Sequence, residues 1–539
     1  MGLVLGLNSC SVLDFDPTDR YNEMTVWKNK KNIELYLNSF YLTAEQYGEF
    51  GSRSFGTKNF STDALTWMMK YSSDVAGYGT PNLLLFLENQ ISSASNALTY
   101  WSDCYERVRK VNEFLEGIDE YCTILTEDEK NAYKAEARFF RGYLYFLLTR
   151  AHESVIIYDK LGDWKQPHKA RSSAADCWNF VKGELQFAYD YLPAQSAKGR
   201  LDKGAAAALM SRAMLYAEDW DAVIEASKNV MSLGYQLDPS YSNIFKSSAA
   251  NRSVESIFQV DYMTENYSHS MDSKYAPSGD DANMEALGGG PTQEMVDHYE
   301  MADGTKFDWN NPVHKANPYA NRDPRFYASV LYNGAAWKGR TVETFVGGKD
   351  GFAEYGSNGV PKTTVTGYYV RKFLDEKNLE FTTKNSTQSY VSMRLAEVKL
   401  NYAEALIKSA TQKNIALAMT QINDIRERVG LPAVNAGNET AAMEALMHER
   451  EIELAFEGFH YWDLKRWRLA HTLLNNVNFH GVKITKEGSG NFVYDIVTCD
   501  GKVNGADQKR IFPQKYYSLP IPDAELTNNT LCTQLDAWK

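Results

Sequence analysis

Apolar side chains recur at helical spacing over much of this chain, and five stretches predict helices. In 32–45, Ile33, Leu37, Phe40 and Tyr41 share one face of a first helix. From about residue 95 the pattern strengthens: Trp101, Cys104, Tyr105, Val108, Val111, Asn112 and Leu115 recur near the helical period. Ala135, Phe139, Tyr143, Phe146 and Leu147 continue it through 132–149. The Ala-rich run 205–216 leads into Trp220 to Ile224, and 394–429 gives a further pair. Small residues such as Ala206, Ala213 and Ala222 let helices approach closely. Paired amphipathic helices of this kind are similar to tetratricopeptide units, without the strict ~34-residue register of a regular array. The fold class expected is therefore mostly α: a tetratricopeptide-like helical-repeat scaffold in two groups, split by a large loop-rich insertion.

Two stretches break the helical period. Residues 50–94 and 235–392 are rich in Gly, Asn, Asp, Ser, Pro and Tyr. Gly288-Gly289-Gly290-Pro291 and Gly347-Gly348-Lys349-Asp350-Gly351 are turn signals. Short strand-like pieces stand at 256–260, 327–331 and 366–370. Long ordered loops on a rigid scaffold are where binding residues concentrate, so these two stretches are where a ligand is expected.

The segment 448–467 mixes many charges with large apolar side chains. Ile452, Phe456 and Phe459 are spaced to share one face, and Gly458 suits a left-handed helix end. A partly buried ion-pair network is expected, with Arg450 or Arg466 meeting Glu449, Glu453, Glu457 or Asp463.

That segment resembles the C-terminal signature of the SusD/RagB family. The family's pattern is approximately E-R-x-x-E-L-x-x-E-G-x-R-x-x-D-L-x-R-W. Glu449, Arg450, Glu453, Leu454, Glu457, Gly458, Asp463, Leu464, Arg466 and Trp467 match it, while His460 stands where the family has Arg. Three more elements follow the family's order. Arg322-Asp323-Pro324-Arg325-Phe326 resembles R-D-P-R-F. Asn423 to Leu431 resembles a helix end of the form N-x-I-R-x-R-A-G, with Val429 in place of Ala. Pro520-Ile521-Pro522 with Glu525, Leu526 and Asn529 resembles the P-I-P-x-x-E-L-x-x-N ending. The resemblance implies one SusD-like domain over 32–539, with scaffold at about 32–50, 95–234 and 393–475, ligand-binding loops at 50–94 and 235–392, and a tail at 476–539. It also implies a surface glycan-binding lipoprotein working with a SusC-like TonB-dependent β-barrel transporter in the outer membrane.

The N-terminus fits that implication. Leu3 to Leu7 is a short apolar run followed by Asn8-Ser9-Cys10-Ser11, similar to a lipobox with Cys10 as the lipidated residue. No basic residue precedes the run. Residues 1–31 then serve as signal remnant and tether. No stretch approaches the ~18 apolar residues of a spanning helix, so membrane attachment is expected through the lipid alone. The net charge of −12 argues against nucleic acid as a partner. Cys104, Cys122, Cys177, Cys499 and Cys532 have neither metal-site spacing nor a dense disulfide framework.

Catalytic signatures are absent. His448-Glu449 begins like a zinc helix, but Ile452 holds the second ligand position. No P-loop, dinucleotide fingerprint or nucleophile elbow occurs. Glycan capture asks for less: aromatic faces for the sugar's C–H faces and polar partners for its hydroxyls. Aromatic residues make up 13% of the chain, including 34 Tyr and 11 Trp. Candidates are Trp67, Tyr71, Asp74, Tyr78 and Asn82 in the first irregular stretch, and Tyr275, Trp309 and Trp337 in the second, with Tyr319 and Tyr355 also available. Asp280 and Asp281 are candidate calcium ligands, a solvated acidic turn being the other reading. The expected function is non-catalytic oligosaccharide capture at the cell surface; an extracellular glycoside hydrolase and a ligand-free assembly scaffold are the alternatives.

Overall fold

Side-chain caps start the scaffold helices where the periodicity places them. The computed structural model describes residues 26–47, 61–72, 84–166, 168–197, 199–263, 267–280, 289–354, 364–381, 383, 385–500, 502–503 and 506–539. Helix α1 spans Lys30–Tyr47, α2 Trp101–Glu120 and α3 Glu127–His152. Thr126 and Glu129 form a reciprocal capping box at the start of α3. Helices α4 (Ala174–Tyr191), α5 (Lys203–Tyr216) and α6 (Trp220–Met231) begin on the side chains of Ser173, Asp202 and Asp219, each accepting a backbone N–H. Helix α4 carries only a narrow stripe, Cys177, Val181, Leu185 and Ala188, and the sequence pattern did not single it out.

After the insertion the helices resume as α9 (Leu395–Lys408), α10 (Ile415–Arg428) and α11 (Glu439–Glu453), and then α12 (His460–Arg466). Among the short helices within the insertion are α7 (Gln293–His298) and α8 (Pro324–Ser329). The two groups of scaffold helices form one stack. Each of α2 to α5 packs on its successor, α6 packs on α9, and α9 packs on α10 and α11. The insertion leaves and re-enters the stack at one place. Strand β2 (Ser256–Val260) pairs antiparallel with β4 (Tyr390–Arg394), setting Ser256 opposite Arg394. A chain that returns to its point of departure lets the stack close as though nothing had been inserted.

Two apolar cores result. One lies within the helix stack, where α3, α5 and α9 are buried almost all round. The other gathers both irregular stretches with the C-terminal part: Met69, Tyr71, Tyr275, Phe326, Trp337, Tyr368, Val482 and Ile484 all belong to it. Strand β1 (Met69–Tyr71) pairs with β3 (Gly289–Pro291), joining the first irregular stretch to the second. A hairpin of β5 (His480–Lys486) and β6 (Phe492–Thr498), unforeseen in the sequence, covers them. The strand expected at 327–331 is mostly α8, leaving Val330 and Leu331 as strand, and only Tyr369 and Val370 of 366–370 are strand.

The charged segment also departs in detail from its helical spacing. Helix α11 ends at Glu453, and Phe456 and Gly458 both have positive φ, 65° and 84°. Ile452 and Phe456 enter the second core, while Phe459 enters the first. One short turn thus ties the two cores together.

Candidate functional site

The motifs found apart in sequence meet in one buried ionic network. Arg325 Nη1 donates to Glu449 at 2.5 Å and to Glu453 at 3.1 Å. Arg394 reaches Glu255, Glu453 and Glu457 at 2.8, 2.6 and 2.6 Å. Arg426 holds Glu449 at 3.2 Å and Arg428 holds Glu453 at 2.6 Å. Arg450 and Arg466 both reach Asp463, as expected, but the three glutamates take their cations from elsewhere. Glu453 is held well below the usual carboxylate range: burial opposes this, and Arg428, Arg394 and Arg325 outweigh burial. Every member lies in the interior, so the network fixes the meeting of scaffold and insertion.

Several candidate ligand residues prove to be interior. Trp67 is 8% exposed; its Nε1 donates to Glu451 at 2.5 Å and its ring meets His460 edge-on at 4.5 Å. Trp337 is 1% exposed, and its Nε1 donates to Asp280 at 2.5 Å. Tyr71 and Tyr275 are buried with their hydroxyls 2.9 Å apart, and Tyr319 is buried as well. As open stacking faces Trp67, Trp337, Tyr71 and Tyr275 are therefore corrected. The irregular stretches build a core of their own, and large rings fill it. Asp74, Tyr78, Asn82, Tyr355, Asp281 and Cys10 lie outside the described residues. The oxygens of Asp280 accept from Trp337 and Arg340, which turns them away from a calcium role. Among the described residues no group of three or more His, Cys, Asp or Glu is arranged to hold a metal.

Trp309 is different. It is half-buried, and its Nε1 donates to both oxygens of Asp297 at 3.1 Å. A chain of hydrogen bonds stands behind it. Tyr319 donates to Tyr368 at 3.3 Å, Tyr368 to Gln293 at 2.8 Å, and Gln293 to Asp297 at 2.7 Å. This chain locks the carboxylate that orients the indole. Tyr494 of the hairpin, also half-buried, lies 6.4 Å from the Trp309 ring at 45° and meets Tyr319 edge-on. Sequence reasoning passed over Tyr494 because it sits in the tail; the alternation of 492–498 was the available signal.

Polar groups surround these rings. Glu294, Asp297 and His298 occupy the outward face of α7, three and four residues apart. Glu294 accepts from the His480 backbone N–H at 3.0 Å and meets its Nδ1 at 2.5 Å, a bond that raises the imidazole pKa. His298 meets Glu451 at 2.6 Å. Burial lifts the Asp297 carboxyl to about 6, so it titrates near neutrality. Asn310 adjoins the indole in sequence and is exposed. Half-buried rings with several acceptors nearby suit a hydroxyl-rich ligand. A cavity of about 590 Å³ lies elsewhere, between α1 and α2, lined by Trp27, Leu35, Tyr36 and Tyr121 with glutamates on one rim.

Comparison with known proteins bears on the whole chain. Residues 254–538 match the sequence model of the SusD family, and residues 16–215 match one described as starch-binding, associating with outer membrane. SusD-like protein P2 of Formosa agariphila is 22% identical over 549 residues, covering 98% of this chain and 96% of that protein. A SusD-like protein of Bacteroides fragilis superposes with a TM-score of 0.76 at 26% identity, over 95% of this chain and 97% of that one. A SusD-like carbohydrate-binding protein of the same organism superposes with a TM-score of 0.78 at 24% identity, over 94% and 99%.

Proposed function

The chain belongs to the SusD family, and from that premise we propose that it captures an oligosaccharide outside the cell, without cleaving it, and delivers it to a SusC-like TonB-dependent β-barrel. The observation that carries the sugar-binding part is Trp309: a half-buried indole held in orientation by Asp297 and a buried hydrogen-bond chain. Tyr494 offers a second ring, and Glu294, Asp297, His480 and Asn310 offer partners for hydroxyls. Asp74, Tyr78 and Asn82, which follow β1 in the sequence, stay part of the proposal as candidate partners for the sugar. The family description names starch binding and association with the outer membrane. Among the described residues no helix is long and apolar enough to cross a membrane, and attachment through lipidated Cys10 agrees with that. The helix stack would face the barrel and the irregular side the sugar.

Isothermal titration against a panel of neutral and charged glycans tests the reading. One glycan class is expected to bind weakly, since stacking and exposed hydrogen bonds leave little surplus after ordering costs. Trp309→Ala is expected to weaken that binding roughly three- to tenfold, the size of a ring-stacking contribution. No heat with any glycan would leave only a scaffold role. Release of reducing ends, abolished by a single carboxylate substitution, would make the protein a hydrolase.

A further inference from the structure

Lys465, on α12, is 5% exposed, and its Nζ has no hydrogen-bond partner. A buried ammonium normally has an acid or carbonyl oxygens around it. Lys372 shows that arrangement in this protein, donating to Glu457 and to the carbonyls of Glu453 and Ala455. Around Lys465 the charged neighbours are instead cations, Arg150 and Arg468. Asp463, two residues away, is committed to Arg450 and Arg466. The walls are aromatic: Nζ lies 4.9 Å from the centre of the Trp462 ring and 5.4 Å from that of Tyr461. The Arg150 guanidinium lies 4.0 Å over the same Trp462 ring. Trp462 Nε1 is a second buried donor with no acceptor. His152 faces the group from α3, and burial depresses it to about 4, so it adds no charge near neutrality. Two donors without acceptors thus meet an excess of positive charge beside one indole. What would complete the arrangement is an acceptor that carries negative charge.

We propose that Lys465 and Trp462 bind a small monovalent inorganic anion of halide size, with Arg150 and Arg468 supplying the surrounding positive field. The ammonium and the indole N–H donate to the anion. Its place between α12 and α3 makes it a clamp on α12, the helix whose His460 packs on Trp67. Burial and the two guanidiniums push the Lys465 amine down to about 7. An anion favours the charged form, so binding takes up a proton as pH rises above 7, and affinity falls from pH 7 to pH 9. Tyr461, raised by burial, stays neutral across that range.

Two measurements decide the proposal. Thermal unfolding in sodium chloride or bromide is compared with sodium gluconate at equal ionic strength. A saturable rise in Tm of about one to a few degrees is expected with the halides, larger at pH 7 than at pH 9, and absent in Lys465→Met. Crystals of the unaltered protein grown in bromide are expected to show an anomalous peak within hydrogen-bond reach of Lys465 Nζ. This second experiment stands even where the variant fails to fold. Equal Tm in halide and gluconate, or bromide crystals without that peak, would overturn the site.

Discussion

Arg325 holds together parts of the chain that lie more than a hundred residues apart. Its guanidinium is saturated by Asp323, Glu449 and Glu453, and it is wholly buried. Arg325→Met is expected to cost about 3–5 kcal/mol, because two glutamates would be left buried with less compensating charge. Urea unfolding would show it, and a loss under 1 kcal/mol would mean that the neighbouring arginines suffice. Trp67 and Trp309 make a second comparison at this scale. Trp67→Ala is expected to cost about 3–5 kcal/mol of stability, as a large ring removed from a packed core does. Trp309→Ala is expected to cost much less and to act on glycan affinity. The two residues look alike in sequence, each an isolated Trp in an irregular stretch. The Arg450–Asp463 and Arg466–Asp463 pairs were legible from spacing along one segment. The arginines that serve Glu449 and Glu453 were not, since no local pattern links residues 325, 394, 426 and 428 to them.

Helical periodicity held up where it was broad. Helices α2, α3, α5, α6, α9 and α10 lie where apolar residues recur, and polar N-caps set the starts of α3, α5, α6 and α10. Helix α4 escaped notice because four narrow-stripe residues are little signal over eighteen positions. The hairpin β5–β6 is local in its pairing, but the backbone it lies against is far away in sequence. Gly481 shows how close the two come. A Cβ there would lie 2.6 Å from Thr366 Cα, and Val482 N–H donates to the Thr366 carbonyl at 2.9 Å. Gly481→Ala is expected to cost about 1–3 kcal/mol, since backbone rather than a flexible side chain must give way. Hydrogen exchange should speed up across 480–498 before the helix stack is affected; uniform change in both would mean one cooperative unit.

The molecule carries many charged groups inside, and the pH dependence of its stability follows from them. Burial depresses His152 and His269 to about 4, below the ordinary value near 6.5. A depressed pKa contributes stability above the unfolded value that is lost as pH falls through the folded one. Glu451, Glu457, Asp463 and Asp500 act in the same sense at lower pH; burial opposes the depression, and partners such as His298, Arg394, Arg450 and Arg510 prevail. Asp272 and Asp297, raised by burial to about 7 and 6, act in the opposite sense over the same range and offset the histidine loss. The urea midpoint is therefore expected to vary little from pH 7 to about 4.5 and to decline below about 4.5, where the depressed carboxylates lose their charge advantage. A midpoint unchanged between about pH 5 and 3 would contradict the network's role.

Local pattern alone settled the rods of the scaffold, the places where they are interrupted and the family to which the motifs point, because helix faces and capping residues are decided within a few turns of chain. Tertiary structure alone decided which rings stay open and which cations neutralise which acids. Those outcomes depend on segments that meet only after the insertion has folded back on itself, and exposure is a property of that meeting rather than of any residue's immediate neighbours.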